Sequence, residues 1–182
     1  MTIRGREAWG PVLMMGVLQS ALVACLPWLI ERTGLSAGVW SLILSAGMVP
    51  VLLGAPLWGR LVDRRGASRV SMVASALVLV GFGSLLLVLG ADLEGAAAVT
   101  CLLAARLIHG VGAGGVFPAA QRTAVAGARP EDWSYRLSRL QMSVHAGRLA
   151  GPALIALAAW LGMMTVLSLA DLSSPGFPAE TD

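Results

Sequence analysis

Five stretches of about twenty or more predominantly apolar residues, set apart by short polar breaks, restrict this chain to a small set of folds. They run over 9–30, 39–58, 70–91, 96–118 and 142–169. Each is long enough to cross a hydrocarbon layer of about 30 Å as a helix rising about 1.5 Å per residue. In lipid only helices and closed barrels satisfy every backbone group, and barrel strands read as short alternating segments. These stretches are long and do not alternate. The sequence therefore predicts an all-α polytopic membrane protein with about five transmembrane helices, occupying residues 1–170. A polar tail over 171–182, with two prolines and a glycine, is expected to be disordered. Charged residues are only 13% of the chain. A soluble domain carries about 25%, so this chain has too few to cover a globular surface.

Arginine sets the orientation. All 13 basic residues are Arg. With the N-terminus in the cytoplasm, Arg4, Arg6, Arg60, Arg64, Arg65, Arg69, Arg122, Arg129, Arg136 and Arg139 lie inside and only Arg32 lies outside. That is the positive-inside bias of a cell-membrane (inner or plasma membrane) protein, and five spans then leave the C-terminus outside. Trp28, Trp40, Trp58 and Trp160 fall near the expected interfaces, where an aromatic belt sits. The net charge of +3 thus reports membrane orientation, and no nucleic-acid partner is expected.

Several chemistries find no support. Cys25 and Cys101 lie far apart in apolar stretches, so neither a disulfide framework nor a metal site is expected. Arg4 and Arg6 ahead of an apolar stretch resemble a signal peptide, yet the stretch continues past Cys25 to Ile30, too long for a signal core. Gly110-Val111-Gly112-Ala113-Gly114-Gly115 fits a dinucleotide fingerprint in letters, but it lies inside an apolar helix with no preceding strand. Small residues there let helices approach closely instead. No cofactor is expected, and no hydrolase constellation is present, so the chain does not read as an enzyme.

Three stretches carry more specific information. Between the second and third spans runs Gly59-Arg60-Leu61-Val62-Asp63-Arg64-Arg65-Gly66-Ala67-Ser68-Arg69, with an acid among four arginines and Gly66 free to adopt a tight-turn conformation. In the fourth span, Arg106 lies about 15 Å deep. Its insertion there costs on the order of 2.5–3.5 kcal/mol, so it should face the bundle interior with a partner. His109, three residues on, shares its helix face and is the side-chain type that changes charge near neutral pH. Gly110 and Gly112 follow. In the fifth span, Gly147-Arg148-Leu149-Ala150-Gly151-Pro152 permits a bend. The five stretches contain no Asp or Glu. Gln19 and Ser20 are the main polar groups deep in the first span, and Gln19 is a candidate cavity-lining residue.

The order Gly59-x-x-x-Asp63-Arg64-x-Gly66 between spans two and three resembles the loop signature (motif A) of the major facilitator superfamily. Arg106-x-x-His109-Gly110-Val111-Gly112 resembles that family's motif B, with His109 where Gln is common. Gly147-x-x-x-Gly151-Pro152 is similar to the core of motif C, which in the family points to proton-coupled exporters. The chain departs from the patterns at Ala67 and Ser68, where the family has basic residues, and at Ile155 and Ala156, where it has glycines. The resemblance implies two bundles of six helices with substrate bound between them, access alternating as one bundle rocks against the other. It assigns Gly59, Asp63, Arg64 and Gly66 to gating, Arg106, His109, Gly110 and Gly112 to coupling, and Gly147, Gly151 and Pro152 to the helix bend.

Against that plan the chain reads as an incomplete N-terminal bundle, one helix short. Three readings stand at this point. The chain is a truncated copy of a proton-linked exporter, inactive alone; or a half-transporter needing a second chain; or a non-transporting membrane scaffold or regulatory subunit. The expected partners are the lipid bilayer, a small-molecule substrate of unknown identity, and a second transporter half.

Overall fold

A computed structural model describes residues 9–91 and 93–173, with side-chain surroundings through residue 163. Every regular element among the described residues is helical. These are α1 (Trp9–Ala24), α2 (Leu26–Thr33), α3 (Ala37–Ala46), α4 (Met48–Arg65), α5 (Ala67–Gly90), α6 (Gly95–Val125), a 3-10 turn at Pro130–Asp132, and α7 (Trp133–Ser173). By length and composition four units can cross a membrane: Ala37–Arg65, Ala67–Gly90, Gly95–Val125 and Pro130–Met163. The pair α1 and α2, bent by 55° at Cys25, makes a fifth when the two are counted as one broken span.

Local chemistry explains the breaks. Pro27 sits in the first turn of α2, where its missing N–H costs nothing, and the chain bends just before it. Gly34 closes α2 in the left-handed conformation, with its N–H on the Ile30 carbonyl at 3.0 Å. Ser36 then caps α3 by accepting the Val39 N–H at 3.3 Å. Between α4 and α5 the whole turn is Gly66, at φ +85°, a conformation that β-carbon-bearing residues rarely adopt.

The helices outrun the apolar stretches that announce them. The polar break between the fourth and fifth apolar stretches is helical at both ends, with α6 reaching Val125 and α7 starting at Trp133. The expected loop 59–69 likewise shrinks to Gly66. Hydropathy marks the lipid-embedded part of a span, whereas backbone hydrogen bonding carries the helix on into the polar zone. The predicted tail beyond residue 173 lies outside the described residues, as do Arg4 and Arg6.

α6 is the hub. It packs most extensively on α5, then on α4, and touches α1, α3 and α7. Its buried face is built of small residues, among them Ala105, Gly110, Gly112, Ala113, Gly114 and Gly115. A second seam joins α1 to α7. The outward faces are apolar: Leu52, Leu53 and Leu57 on α4, Leu79 and Leu87 on α5, and Leu149 and Leu157 on α7 are all exposed. Such a surface suits lipid and not water. Trp28 and Trp160 are exposed as belt residues should be, but Trp40 is not. It is wholly buried, and its indole N–H donates to Thr33 Oγ1 at 3.1 Å, tying α3 back to the end of α2. Its position in the sequence gave depth, but not which way it faces.

Candidate functional site

Arg106 is the most constrained polar group. It is 7% exposed, on the buried face of α6. Its Nη2 donates to the Leu44 carbonyl at 3.2 Å. That carbonyl lies in the last turn of α3, where intrahelical donors run out, so the guanidinium caps a helix end that a cation also suits electrostatically. The break in span two at Gly47 makes this contact. A β-carbon there would stand 2.9–3.1 Å from the Arg106 guanidinium, so the position admits only a glycine without a shift. The Nε of Arg106 is buried with no hydrogen-bond partner among the described residues.

His109, 6% exposed, faces elsewhere. It lies against Gly81 of α5, where an added β-carbon would come within 2.7 Å of the His109 Cα. Its Nδ1 is buried and has no hydrogen-bond partner among the described residues. The shared face expected for Arg106 and His109 is therefore divided: Arg106 serves the contact with span two, His109 the contact with span three. Gly110 meets the Gly47 backbone, and Gly112 meets Ala74 and Val78 of α5. Trp58 covers Gly115 and donates its indole N–H to the Val111 carbonyl at 2.8 Å.

The glycines of span five act as packing positions as well as flanking a proline. Gly147 faces the Leu13 carbonyl of α1, Gly151 faces Ser20 and the Val17 carbonyl, and Gly16 of α1 faces Val144 and Gly147 in return. Close backbone approach through small residues is how helices associate where lipid removes the hydrophobic drive. Pro152 lies within α7, which stays helical through it. Arg148, beside these glycines, donates from Nη2 to Gln19 Oε1 at 3.4 Å. Reading by motif alone leaves Arg148 without a role, although an arginine in the fifth apolar stretch is itself a signal.

Gln19 lies between two pockets. One, of about 410 Å³, is lined by Gln19, Ser20, Val23, Ala24, Arg148 and Pro152. The other, of about 210 Å³, is lined in part by Gln19, Leu44, Ser45, Met48 and Arg106. Gln19 thus joins spans one, two, four and five at one level of the bundle. A larger groove of about 550 Å³, lined by residues such as Leu53, Leu57 and Trp58, is nearly all apolar and opens on the outer side of α4.

At the Arg-rich end, Asp63 pairs with Arg122 of α6 at 4.0 Å. Both side chains are mostly exposed, 72% and 63%, so the pair is weak. Gly59, Arg64 and Gly66 lie on the same stretch; Gly59 and Gly66 have open space where a β-carbon would go. Arg136 donates to the Ala124 carbonyl at 3.3 Å, and Arg139 stacks over Trp9 at 4.7 Å. These contacts join α7 to the ends of α6 and α1.

Comparison with known proteins gives the family. The sequence profile described as Major Facilitator Superfamily matches residues 11–170. The chain is 32% identical over 166 residues to the Multi-drug resistance efflux pump PmrA homolog of Lactococcus lactis subsp. lactis, covering 87% of this chain and 38% of that protein. It is 40% identical over 65 residues to the Multidrug efflux pump Tap of Mycobacterium tuberculosis, covering 36% of this chain and 16% of that one. The chain thus spans well under half the length of these relatives.

Proposed function

The chain belongs to the major facilitator superfamily, and on that premise we propose that it forms one wall of a secondary transporter that exports small molecules in exchange for protons. The observation that carries the reading is the level of Gln19, where four spans bring Arg106 and Arg148 to two adjoining pockets. In the alternating-access plan of such proteins, the site lies near the midplane between bundles that rock against each other. The names of the two relatives support export. A second transporter half supplies the facing wall, and these five spans alone bind without translocating. The N-terminus lies in the cytoplasm of a cell-membrane protein, with the Asp63–Arg122 end at the cytoplasmic gate and residue 173 on the outer side.

Accumulation of anionic and cationic dyes, fluorescein and ethidium among them, tests this in a host stripped of its own multidrug pumps. The gene carried with its flanking DNA is expected to lower accumulation, and a proton uncoupler should restore it. Unchanged accumulation across a panel of dyes and acids sinks the export reading, and export insensitive to the uncoupler sinks proton coupling. Labelling of single cysteines placed at residues 36 and 64 should show opposite-side accessibility; same-side labelling overturns the topology.

A further inference from the structure

The described spans hold fixed positive charge at the depth of Gln19 and no acid to balance it. Arg106 lies about eleven residues into α6 and Gln19 about ten into α1, so both sit roughly 15 Å deep. Guanidinium does not lose its proton in proteins, and a charge in hydrocarbon without a counter-charge is costly. The carboxylates whose surroundings are described, Glu31, Asp63, Glu94, Glu131 and Asp132, all lie at helix ends or in connections. Arg106 is more than nine-tenths buried with Nε unpartnered, and its one hydrogen bond among the described residues is to a neutral carbonyl. Arg148, at the pocket of about 410 Å³, is bonded only to the neutral amide of Gln19 among the described residues.

We propose that the two pockets on either side of Gln19 form one site for an organic anion: a single carboxylate or sulfonate head on an apolar body. The head would lie between the Arg106 and Arg148 guanidiniums, with the Gln19 amide N–H₂ and the Ser45 hydroxyl as further donors. Val23, Leu44 and Met48 would cover the apolar body. Charge-assisted bonds to Arg are the strong ones. A lipophilic cation finds two like charges and no acceptor stronger than an amide. This proposal names the substrate class of the site in the transporter reading and rests on that reading for its physiological meaning.

The test is equilibrium binding of radiolabelled naphthalene-2-sulfonate to the purified full chain in nanodiscs of zwitterionic lipid. Saturable binding is expected, displaced by 2-naphthoate and not by tetraphenylphosphonium. Arg148→Gln and Gln19→Leu should each weaken it about tenfold, the loss expected for a charge-assisted bond. Arg148 is exposed and its one described hydrogen bond is to Gln19, so its variant keeps the test open even if Arg106→Gln does not fold. Preferential binding of tetraphenylphosphonium, unchanged affinity in the Arg148 and Gln19 variants, or equal displacement by chloride would each overturn the proposal. Binding is read without transport, so the two readings fail separately. Anion binding with no export removes the transporter reading, and export of cations with no anion binding removes this one.

Discussion

The contact between spans two and four sets how close Arg106 comes to its carbonyl, and Gly110→Ala probes it. In the structure, a β-carbon on Gly110 would run into the Gly47 carbonyl oxygen, with the carbonyl carbon at 3.0 Å and the Gly47 Cα at 3.3 Å. Carbon atoms settle at about 3.5–4.0 Å, and the obstruction is backbone, which cannot swing aside like a side-chain end. Forcing one methyl into such a contact costs about 1–3 kcal/mol. The same change carries a helix-propensity gain of about 1 kcal/mol. Gly83→Ala on α5 isolates that gain, because no atom of the described residues lies within 4 Å of its β-position. The propensity gain therefore cancels when the two variants are compared, and Gly110→Ala should be the less stable by about 1–3 kcal/mol. For a chain of this size that is about 2–12 °C in unfolding temperature. Tryptophan emission during heating of the purified chain in dodecyl maltoside reads it. Two variants that unfold within about 1 °C of each other would refute the close approach of Gly110 to Gly47, and with it the packing account of Arg106.

Other consequences follow from the same contacts. Gly151→Leu places a bulky side chain against Ser20 and the Val17 backbone, and should part α1 from α7 at a cost of about 1–3 kcal/mol, visible as lower thermal stability. Trp58→Phe removes the 2.8 Å donor to Val111 and should cost about 0.5–1.5 kcal/mol in the same measurement. Asp63→Asn breaks only an exposed pair at 4.0 Å, so stability should stay within about 0.5 kcal/mol. If the gating proposal holds, that variant nonetheless loses dye export, and full export by the Asp63→Asn variant would remove Asp63 from the gate.

Much of this architecture is legible from the sequence because lipid leaves so few choices. Twenty apolar residues without a charge read as a helix, and an arginine among them is expected to turn from lipid, although Arg148 in the fifth stretch is exposed and reaches only Gln19 among the described residues. Arg106 obeys, and its partner proves to be a backbone carbonyl freed by a helix break. The break itself at Gly47 is hidden, since glycine in an apolar stretch reads equally as a packing position. The pairing of Gln19 with Arg148 joins residues 129 apart, and only the α1–α7 seam brings them together. The ends of the helices are obscured for a different reason. Transfer to lipid and helix continuity are separate quantities, and polar turns such as 121–125 satisfy the second without the first. Trp40 shows the same split, its depth encoded locally and its facing set by Thr33.

The α1–α7 seam also has a consequence in time. Gly16 leaves the ribosome early, and the Val144–Gly147 surface it fits follows roughly 130 residues later, about 7–26 s at synthesis rates of about 5–20 residues per second. Through that interval the first span waits in the bilayer with its narrow glycine groove unfilled and Gln19 beside it without Arg148. An insertase or a lipid headgroup has that window in which to shelter the first span, and the arrival of the fifth ends it.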